Sequence, residues 1–280
     1  MRPTHSAPVK LALKRSGQGF PLLCLHGHPG SGDCLSGLTA SLSQQFQTLT
    51  PDLRGYGGSQ VKKPFTMADH LQDLEALLDH HHIQTYGLVG WSLGGILALE
   101  LALRHPQRVR SLVLLATAAH PRSNLPQPTG RDYFNTALAA LINQANPGWD
   151  WNINRLGRHS LFRDLLYQHT PTAYGFLAKY AIPAYWKTSR HAHQAFNQAL
   201  HQGYNRVEAL SQISCPALVL AGSHDRHILP EASHETARAL PQGDWICYPE
   251  AAHLFPWEIP DQVNADIQRW LTTHLGLFSS

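Results

Sequence analysis

The amino-acid sequence predicts an α/β protein with a mostly parallel sheet that is covered by helices on both faces. Along most of the 280 residues, short apolar runs typical of buried strands alternate with longer runs at helical spacing. Glycine-rich loops directly follow several of these strands. In a parallel sheet, such loops meet at the carboxyl edge.

The strand predictions rest on short apolar runs, and the first run is set apart by its alternation of polar and apolar side chains. That alternation predicts one solvated face. The predicted strands lie at 9–14, 21–25, 46–50, 85–89, 109–116, 217–221 and 245–248.

The helix predictions rest on apolar stripes and on start signals. Thr66 and Asp69 have the spacing of a capping box, and leucines of the following turns form one stripe. Pro230 suits the first turn of a later helix. The predicted helices cover about 35–45, 66–80, 95–104, 230–240 and 261–275.

Residues 118–206 interrupt the strand–helix alternation, because no strand-like run occurs there. This segment holds 13 of the chain's 25 aromatic residues and nine Lys or Arg against three Asp. We interpret it as a helical cap inserted into an α/β core domain made of residues 1–117 and 207–280.

Composition limits the function classes. A hydrophobic content of 43% is ordinary for a globular core, and a formal charge of +3 does not favour nucleic acid as the main partner. The four cysteines lack CxxC spacing, so no zinc site is predicted, and no metal or organic cofactor is expected.

The first eight residues lack the apolar stretch of a signal peptide, and no run approaches the ~20 apolar residues of a membrane span. We expect a cytoplasmic enzyme with a small-molecule substrate; monomer and dimer both stay open.

The sequence Gly90-Trp91-Ser92-Leu93-Gly94 joins a predicted strand to a predicted helix. Such a short turn forces the central residue into a strained backbone conformation, and it holds the serine hydroxyl above the sheet edge. A G-x-S-x-G sequence alone is weak evidence, so a nucleophilic role also requires a base, an acid and an oxyanion site.

A serine hydroxyl needs an imidazole to accept its proton, and His253 follows the last predicted strand at the same sheet edge. Asp225 follows the preceding strand, where its carboxylate can orient that ring. Backbone N–H groups of Leu93 and of His28, in the loop after strand 21–25, are the candidate oxyanion donors.

Together these segments resemble the α/β-hydrolase superfamily: HGHPG at 26–30, DLRGYGGS at 52–59, GWSLGG at 90–95, GSHDR at 222–226 and AAH ending at His253. The resemblance implies an eight-stranded sheet, or a seven-stranded one if the first strand is missing. It also implies a triad of Ser92, Asp225 and His253, with Leu93 and His28 as oxyanion donors.

The HGxP loop is similar to that of epoxide hydrolases and proline iminopeptidases. Ser92 argues against epoxide hydrolysis, which uses an aspartate.

The leading hypothesis is a serine esterase that cleaves a carboxylic ester or related acyl bond through an acyl-enzyme on Ser92. The aromatic cap indicates a partly apolar substrate. A C–C bond hydrolase, a lyase or a cofactor-free perhydrolase or haloperoxidase would use the same triad; an aminopeptidase or a non-catalytic receptor is less favoured. The predicted pocket residues are His28, Trp91, Trp149, Trp151, Tyr185 and Trp186.

Overall fold

A seven-stranded sheet forms the centre of the protein, whose computed structural model describes residues 7–275. The strands are β1 (Leu13–Ser16), β2 (Pro21–Leu25), β3 (Gln47–Pro51), β4 (Tyr86–Trp91), β5 (Val109–Leu115), β6 (Ala217–Gly222) and β7 (Gly243–Tyr248), in the order β1-β3-β2-β4-β5-β6-β7. β1 is antiparallel to β3, and the other neighbours are parallel. The α/β class and the seven-stranded form of the prediction are thus confirmed.

Helices cover both faces of the sheet, and each face has its own apolar cluster. The core helices are α1 (Ser36–Leu42), α2 (Met67–His80), α3 (Leu93–Arg104), α9 (Pro230–Ala239), α10 (Phe255–Glu258) and α11 (Pro260–His274). The predicted capping box starts α2, where the Asp69 carboxylate accepts hydrogen bonds from the backbone N–H and the hydroxyl of Thr66.

The predicted strand at 9–14 is wrong over most of its length, since β1 begins only at Leu13. The N–H of Val9 donates to the Asp73 carboxylate, and the N–H of Ala12 donates to the Ser59 hydroxyl. Side chains therefore satisfy this backbone where a neighbouring strand would otherwise be needed. Of the first eight residues, which lack the apolar stretch of a signal peptide, residues 1–6 lie outside the described residues.

Between β5 and β6 the chain forms helices without any strand, as the lack of strand-like runs at 118–206 predicts. They are α4 (Gly130–Ala145), α5 (Asp150–Arg155), α6 (Pro171–Phe176), α7 (Ile182–Trp186) and α8 (Arg190–Gln202). Buried asparagines join them: the side-chain amide of Asn143 donates to the Tyr174 carbonyl, and that of Asn152 donates to the Ala139 carbonyl. The cap boundaries at 118 and 206 stay predictions.

Strand register brings the glycine-rich loops to one edge of the sheet. Leu25 at the end of β2 is level with Gly90 of β4, and Leu115 at the end of β5 is level with Leu220 of β6. The loops that carry His28, Ser92, Asp225 and His253 follow these parallel strands or their neighbour β7.

The helices formed by residues 7–275 are too short or too polar to span a bilayer.

Candidate active site

Ser92 occupies a strained turn between β4 and α3. Its φ of 53° and ψ of −116° lie outside the regions that residues with a Cβ normally adopt. Two hydrogen bonds hold this conformation: the Ser92 N–H donates to Leu115 O (2.8 Å), and the Gly95 N–H donates to Ser92 O (2.9 Å). The side chain is only partly buried, so the hydroxyl remains accessible to a ligand.

The two glycines that flank Ser92 allow the backbone to pack this closely. A Cβ at Gly90 would lie 2.4 Å from the carbonyl oxygen of Gly94, and a Cβ at Gly94 would lie 2.1 Å from that of Leu25. Backbone atoms cannot move out of the way without disrupting the sheet. The G-x-S-x-G sequence therefore has a steric reason at both glycines.

His253 and Asp225 form a buried pair at the same sheet edge. The His253 Nδ1 donates to Asp225 Oδ2 at 2.8 Å, since a carboxylate can only accept. The other carboxylate oxygen accepts from the backbone N–H groups of His227 (2.8 Å) and Ile228 (2.9 Å). With its proton on Nδ1, a neutral His253 ring keeps a lone pair on Nε2 for accepting a proton.

In residues 7–275 the Ser92 hydroxyl makes no hydrogen bond to His253 or to any other group. Serine–histidine bonds are often long in ligand-free sites and shorten when substrate binds. The structure thus shows an oriented His253 ring and a strained serine that no hydrogen bond joins.

The loop that follows β2 lies directly against Ser92. A Cβ at Gly27 would be 3.2 Å from the Ser92 Cβ, so the main chain leading to His28 passes beside Ser92. Leu93 is the first residue of α3, where N–H groups have no acceptor within the helix. Both predicted oxyanion donors therefore border Ser92, although their convergence on one oxygen stays a prediction.

Both ring nitrogens of His28 have partners within the protein, so they are not free for substrate. Nδ1 lies 2.7 Å from the Tyr56 hydroxyl, and Nε2 lies 3.1 Å from Nδ1 of His193 on α8. The His28 ring also stacks on Phe196, with centroids 4.1 Å apart and planes inclined by 16°. Burial, followed by the neighbouring histidines, lowers the pKa of His28 to about 3.

Two further buried side chains fix the loops around the site. His26 accepts a hydrogen bond from the Leu53 N–H at Nε2 (3.0 Å), and burial lowers its pKa. Glu258 accepts from the Ala252 N–H (2.8 Å), next to His253, and from the N–H groups of cap residues Tyr167 and Gln168. Burial raises the pKa of Glu258, and these three N–H donors oppose that effect.

His227 contacts the side of His253. Its ring lies 4.6 Å from that of His253 at 68°, and its Nδ1 is buried without a partner among the described residues. Burial, then repulsion by a charged His253, lowers the pKa of His227 to about 4. It therefore faces His253 as a neutral ring at neutral pH.

The predicted aromatic pocket residues differ in their exposure and in their contacts. Trp91 is 4% exposed and packs edge-on against Trp257 in the core. Trp149 and Trp151 stack on each other at the cap surface, and Trp186 is 74% exposed. Tyr185 borders the site through His193, whose ring centroid is 6.0 Å away. Their contact with substrate stays a prediction.

A cavity of about 630 Å³ opens between cap and core beside Asp225. Arg163 and Tyr167 of the cap and Arg226 of the core line it, but Ser92 and His253 do not. Asp164 pairs with both arginines and Asp132 pairs with Arg163, so two carboxylates compensate the two positive charges. Ser92 and the hydrogen-bonded pair of His253 and Asp225 lie at the same sheet edge, and their catalytic roles stay a prediction.

The sequence patterns singled out Ser92, Leu93, Asp225, His253 and His28, and all five lie at one sheet edge. Tyr56, His193, Phe196, His227 and Glu258 were missed. His227 could have been noticed as a titratable residue two positions from Asp225. His193 and Phe196 carry no local signal, because their partner His28 is over 160 residues away. No group of three or more His, Cys, Asp or Glu in the described part of the chain is placed to hold a metal ion.

Comparison with known proteins gives a consistent family assignment. The family model described as alpha/beta hydrolase fold matches residues 21–260. A pimeloyl-[acyl-carrier protein] methyl ester esterase from Chromobacterium violaceum is 28% identical over 277 residues, covering 95% of this chain and 98% of the esterase. BpoC from Mycobacterium tuberculosis, provisionally named a non-heme bromoperoxidase, is 28% identical over 271 residues, covering 95% of this chain and 98% of BpoC.

Solved structures agree with this assignment. A thermophilic esterase from Thermogutta terrifontis aligns with a TM-score of 0.68 at 27% identity, over 94% of this chain and 93% of that one. The crystal structure of BpoC aligns with a TM-score of 0.70 at 26% identity, over 98% and 99% of the two chains.

Proposed function

The chain belongs to the α/β-hydrolase fold family, and we propose that it is a serine hydrolase cleaving a carboxylic ester or related acyl bond. The observation that carries the proposal is the buried His253–Asp225 hydrogen bond of 2.8 Å at the same sheet edge as the strained Ser92. The methyl ester esterase and the thermophilic esterase among the similar proteins support ester cleavage. The proposed substrate is small and partly apolar, and no metal or organic cofactor takes part.

In the proposed reaction, Ser92 Oγ attacks the ester carbonyl carbon while His253 Nε2 accepts the hydroxyl proton. The carbonyl oxygen becomes an oxyanion, which the N–H groups of Leu93 and His28 stabilise. Collapse of this intermediate breaks the bond to the alcohol, which leaves with the proton from His253. Water then attacks the acyl-enzyme, again losing a proton to His253, and releases the acid and free Ser92.

Asp225 orients His253 and stabilises the imidazolium that forms in each half-reaction. Its carboxylate is held in place by two N–H groups of its own loop, so it is ordered before substrate binds. Such preorganised charge lowers the barrier without reorganisation during the reaction.

A fluorophosphonate probe tests the nucleophile. We expect one covalent label on the wild-type protein and none on Ser92→Ala, with p-nitrophenyl ester turnover lost in parallel. Ser223→Ala is the matched control, since the Ser223 hydroxyl lies 2.9 Å from a histidine ring nitrogen, that of His224, but stands in no strained turn. A folded wild-type protein that takes no label would contradict the proposal.

Peroxide-dependent chemistry is the second candidate, favoured by the similarity to BpoC. Hydrogen peroxide would replace water in attacking the acyl-enzyme, releasing a peracid and free Ser92. Parallel assays of ester hydrolysis and of acetate- and peroxide-dependent bromide oxidation distinguish an esterase from a perhydrolase.

A C–C bond hydrolase would instead turn over 1,5-diketones faster than p-nitrophenyl esters.

The cytoplasmic location also remains a proposal, testable by cell fractionation.

A further inference from the structure

The side chain of His28 contacts both the core and the cap. On the core side it meets Tyr56, with Nδ1 2.7 Å from the hydroxyl and the two rings perpendicular at 87°. On the cap side, Nε2 lies 3.1 Å from His193 Nδ1, and Phe196 stacks on the ring face. The backbone N–H of this residue is a proposed oxyanion donor.

His193 and Phe196 reach His28 from one face of α8, because residues three positions apart lie on the same side of a helix. Their contacts are of two kinds. His193 restricts the in-plane rotation of the His28 ring through a directional hydrogen bond, and Phe196 restricts its tilt by stacking. A ring held in both ways also fixes the backbone from which it projects.

The start of α8 is itself attached to the core loop that carries Tyr56. The Ser189 hydroxyl caps the helix by accepting from the Ala192 N–H, and the Ser189 N–H donates to Gly55 O at 2.8 Å. Gln60 of the same core loop donates to the Lys187 carbonyl. Loop and helix therefore hold His28 from two sides as a joined unit.

The hydrogen-bond chain from Tyr56 through His28 to His193 is complete when both imidazoles are neutral. Each ring then has one donor and one acceptor nitrogen, so every contact pairs a donor with an acceptor in either direction along the chain. Either direction fixes the tautomers of the two rings together. The arrangement stabilises one ring orientation and leaves neither ring nitrogen of His28 without a partner.

We propose that His193 and Phe196 of the cap are positioning residues that hold the His28 backbone N–H in the oxyanion site, so that the cap controls the rate of the chemical step. This proposal rests on the proposed function. Loss of one complete oxyanion donor typically lowers kcat by about 10²- to 10³-fold. Loosening the donor without removing it should have a smaller effect, about tenfold.

The test compares His193→Leu, His193→Asn and Phe196→Ala with wild type. Leu removes the hydrogen bond, whereas the Asn amide can replace the Nδ1 contact. We expect kcat for p-nitrophenyl butyrate to fall about tenfold in His193→Leu and Phe196→Ala with KM changed less than twofold, and His193→Asn to recover most of the loss. Leu200→Ala, an exposed position on the same helix, should match wild type.

Two readouts separate positioning from general structural damage. The inhibition constant of a trifluoromethyl ketone, which forms a tetrahedral oxyanion on the serine, should rise in proportion to the loss of kcat. The rate constant for labelling of Ser92 by the fluorophosphonate should fall similarly. Thermal unfolding checks that each variant is folded, and Phe196→Leu replaces Phe196→Ala if the latter does not fold.

Unchanged kcat in His193→Leu and Phe196→Ala would overturn the proposal, as would a rise in KM alone, which would make these residues part of substrate binding. Equal loss in His193→Leu and His193→Asn would overturn the role of the hydrogen bond. If wild-type Ser92 were never labelled, the proposed function itself would fail, and that result is distinct from all of these.

Discussion

At the scale of single residues, Asp225 determines which ring nitrogen of His253 carries the proton. It accepts one hydrogen bond from the ring and two from its own loop. In Asp225→Asn, the amide oxygen can keep the loop bonds, which turns the NH₂ group toward Nδ1. The ring must then carry its proton on Nε2 and cannot accept one from Ser92. We expect kcat for ester hydrolysis to fall by about 10⁴-fold, as in comparable triads, in a protein with normal thermal unfolding. A loss below tenfold would mean that Asp225 does not orient the base.

Gly94 and Gly175 provide a matched pair of glycines. A Cβ at Gly94 would lie 2.1 Å from Leu25 O, whereas a Cβ at Gly175, within α6, would meet no atom within 4 Å. Gly94→Ala should therefore destabilise the fold by about 3 kcal/mol or more, as overpacking against backbone does. Gly175→Ala should stabilise it by about 0.5–1 kcal/mol, because glycine weakens a helix interior. Urea unfolding of both variants measures the contrast, and similar values would contradict the steric argument.

At the scale of elements, a buried ion pair joins α2 to the loop after β3. The Arg54 guanidinium donates to both carboxylate oxygens of Asp73, and Asp69 lies 3.9 Å from Arg54. Asp73→Leu leaves a buried cation with a weaker partner and removes the acceptor for the Val9 N–H. We expect a loss of about 3–5 kcal/mol in urea unfolding. The double variant Arg54→Met/Asp73→Leu should recover much of it, and equal losses in both variants would exclude a penalty for burying the more weakly paired Arg54 charge.

Sequence patterns predicted the sheet, the strand-end loops and the positions of Ser92, Asp225 and His253, because each depends on residues close together in the chain. Apolar periodicity and glycine placement are local, and chain order then brings strand ends to one edge. The contacts of His28 with His193 and Phe196 depend on how α8 packs on the core, which no local pattern encodes. The same limit applies to Trp91, which was predicted as a pocket residue. Its contact in the core is with Trp257 of α10, and no local pattern encodes that contact.

At the scale of the whole molecule, the cap differs from the core in what it exposes. All ten large apolar side chains that are clearly exposed in the described structure lie between residues 125 and 200. Seven of the 13 aromatic side chains of the cap are therefore in contact with solvent. What the cap does supply at the site is α8, through its contacts with His28.

Buried histidines make the stability of the whole fold sensitive to acid. Burial lowers the pKa of His28 and His70 to about 3 and that of His227 to about 4, against about 6.5 in the unfolded chain. Stability from a depressed histidine pKa is present above pH 6.5 and is lost as pH falls toward the folded value, because only the unfolded chain takes up the proton. Each of these groups should cost about 1 kcal/mol between pH 7 and pH 5.5, so the unfolding free energy should fall by about 3 kcal/mol or more.

His70 allows this effect to be isolated. It lies on α2 between the rings of Tyr56 and Phe65, and neither of its ring nitrogens has a partner in the described structure. His70→Leu removes one group that is protonated only after unfolding, and it also removes two unsatisfied polar atoms whose burial is costly. The variant should be at least as stable as wild type at pH 7, and its loss of stability between pH 7 and 5.5 should be smaller by about 1 kcal/mol. Urea unfolding at both pH values measures the difference; an unchanged loss would show that His70 is protonated in the folded protein, and the acid sensitivity would then need another source.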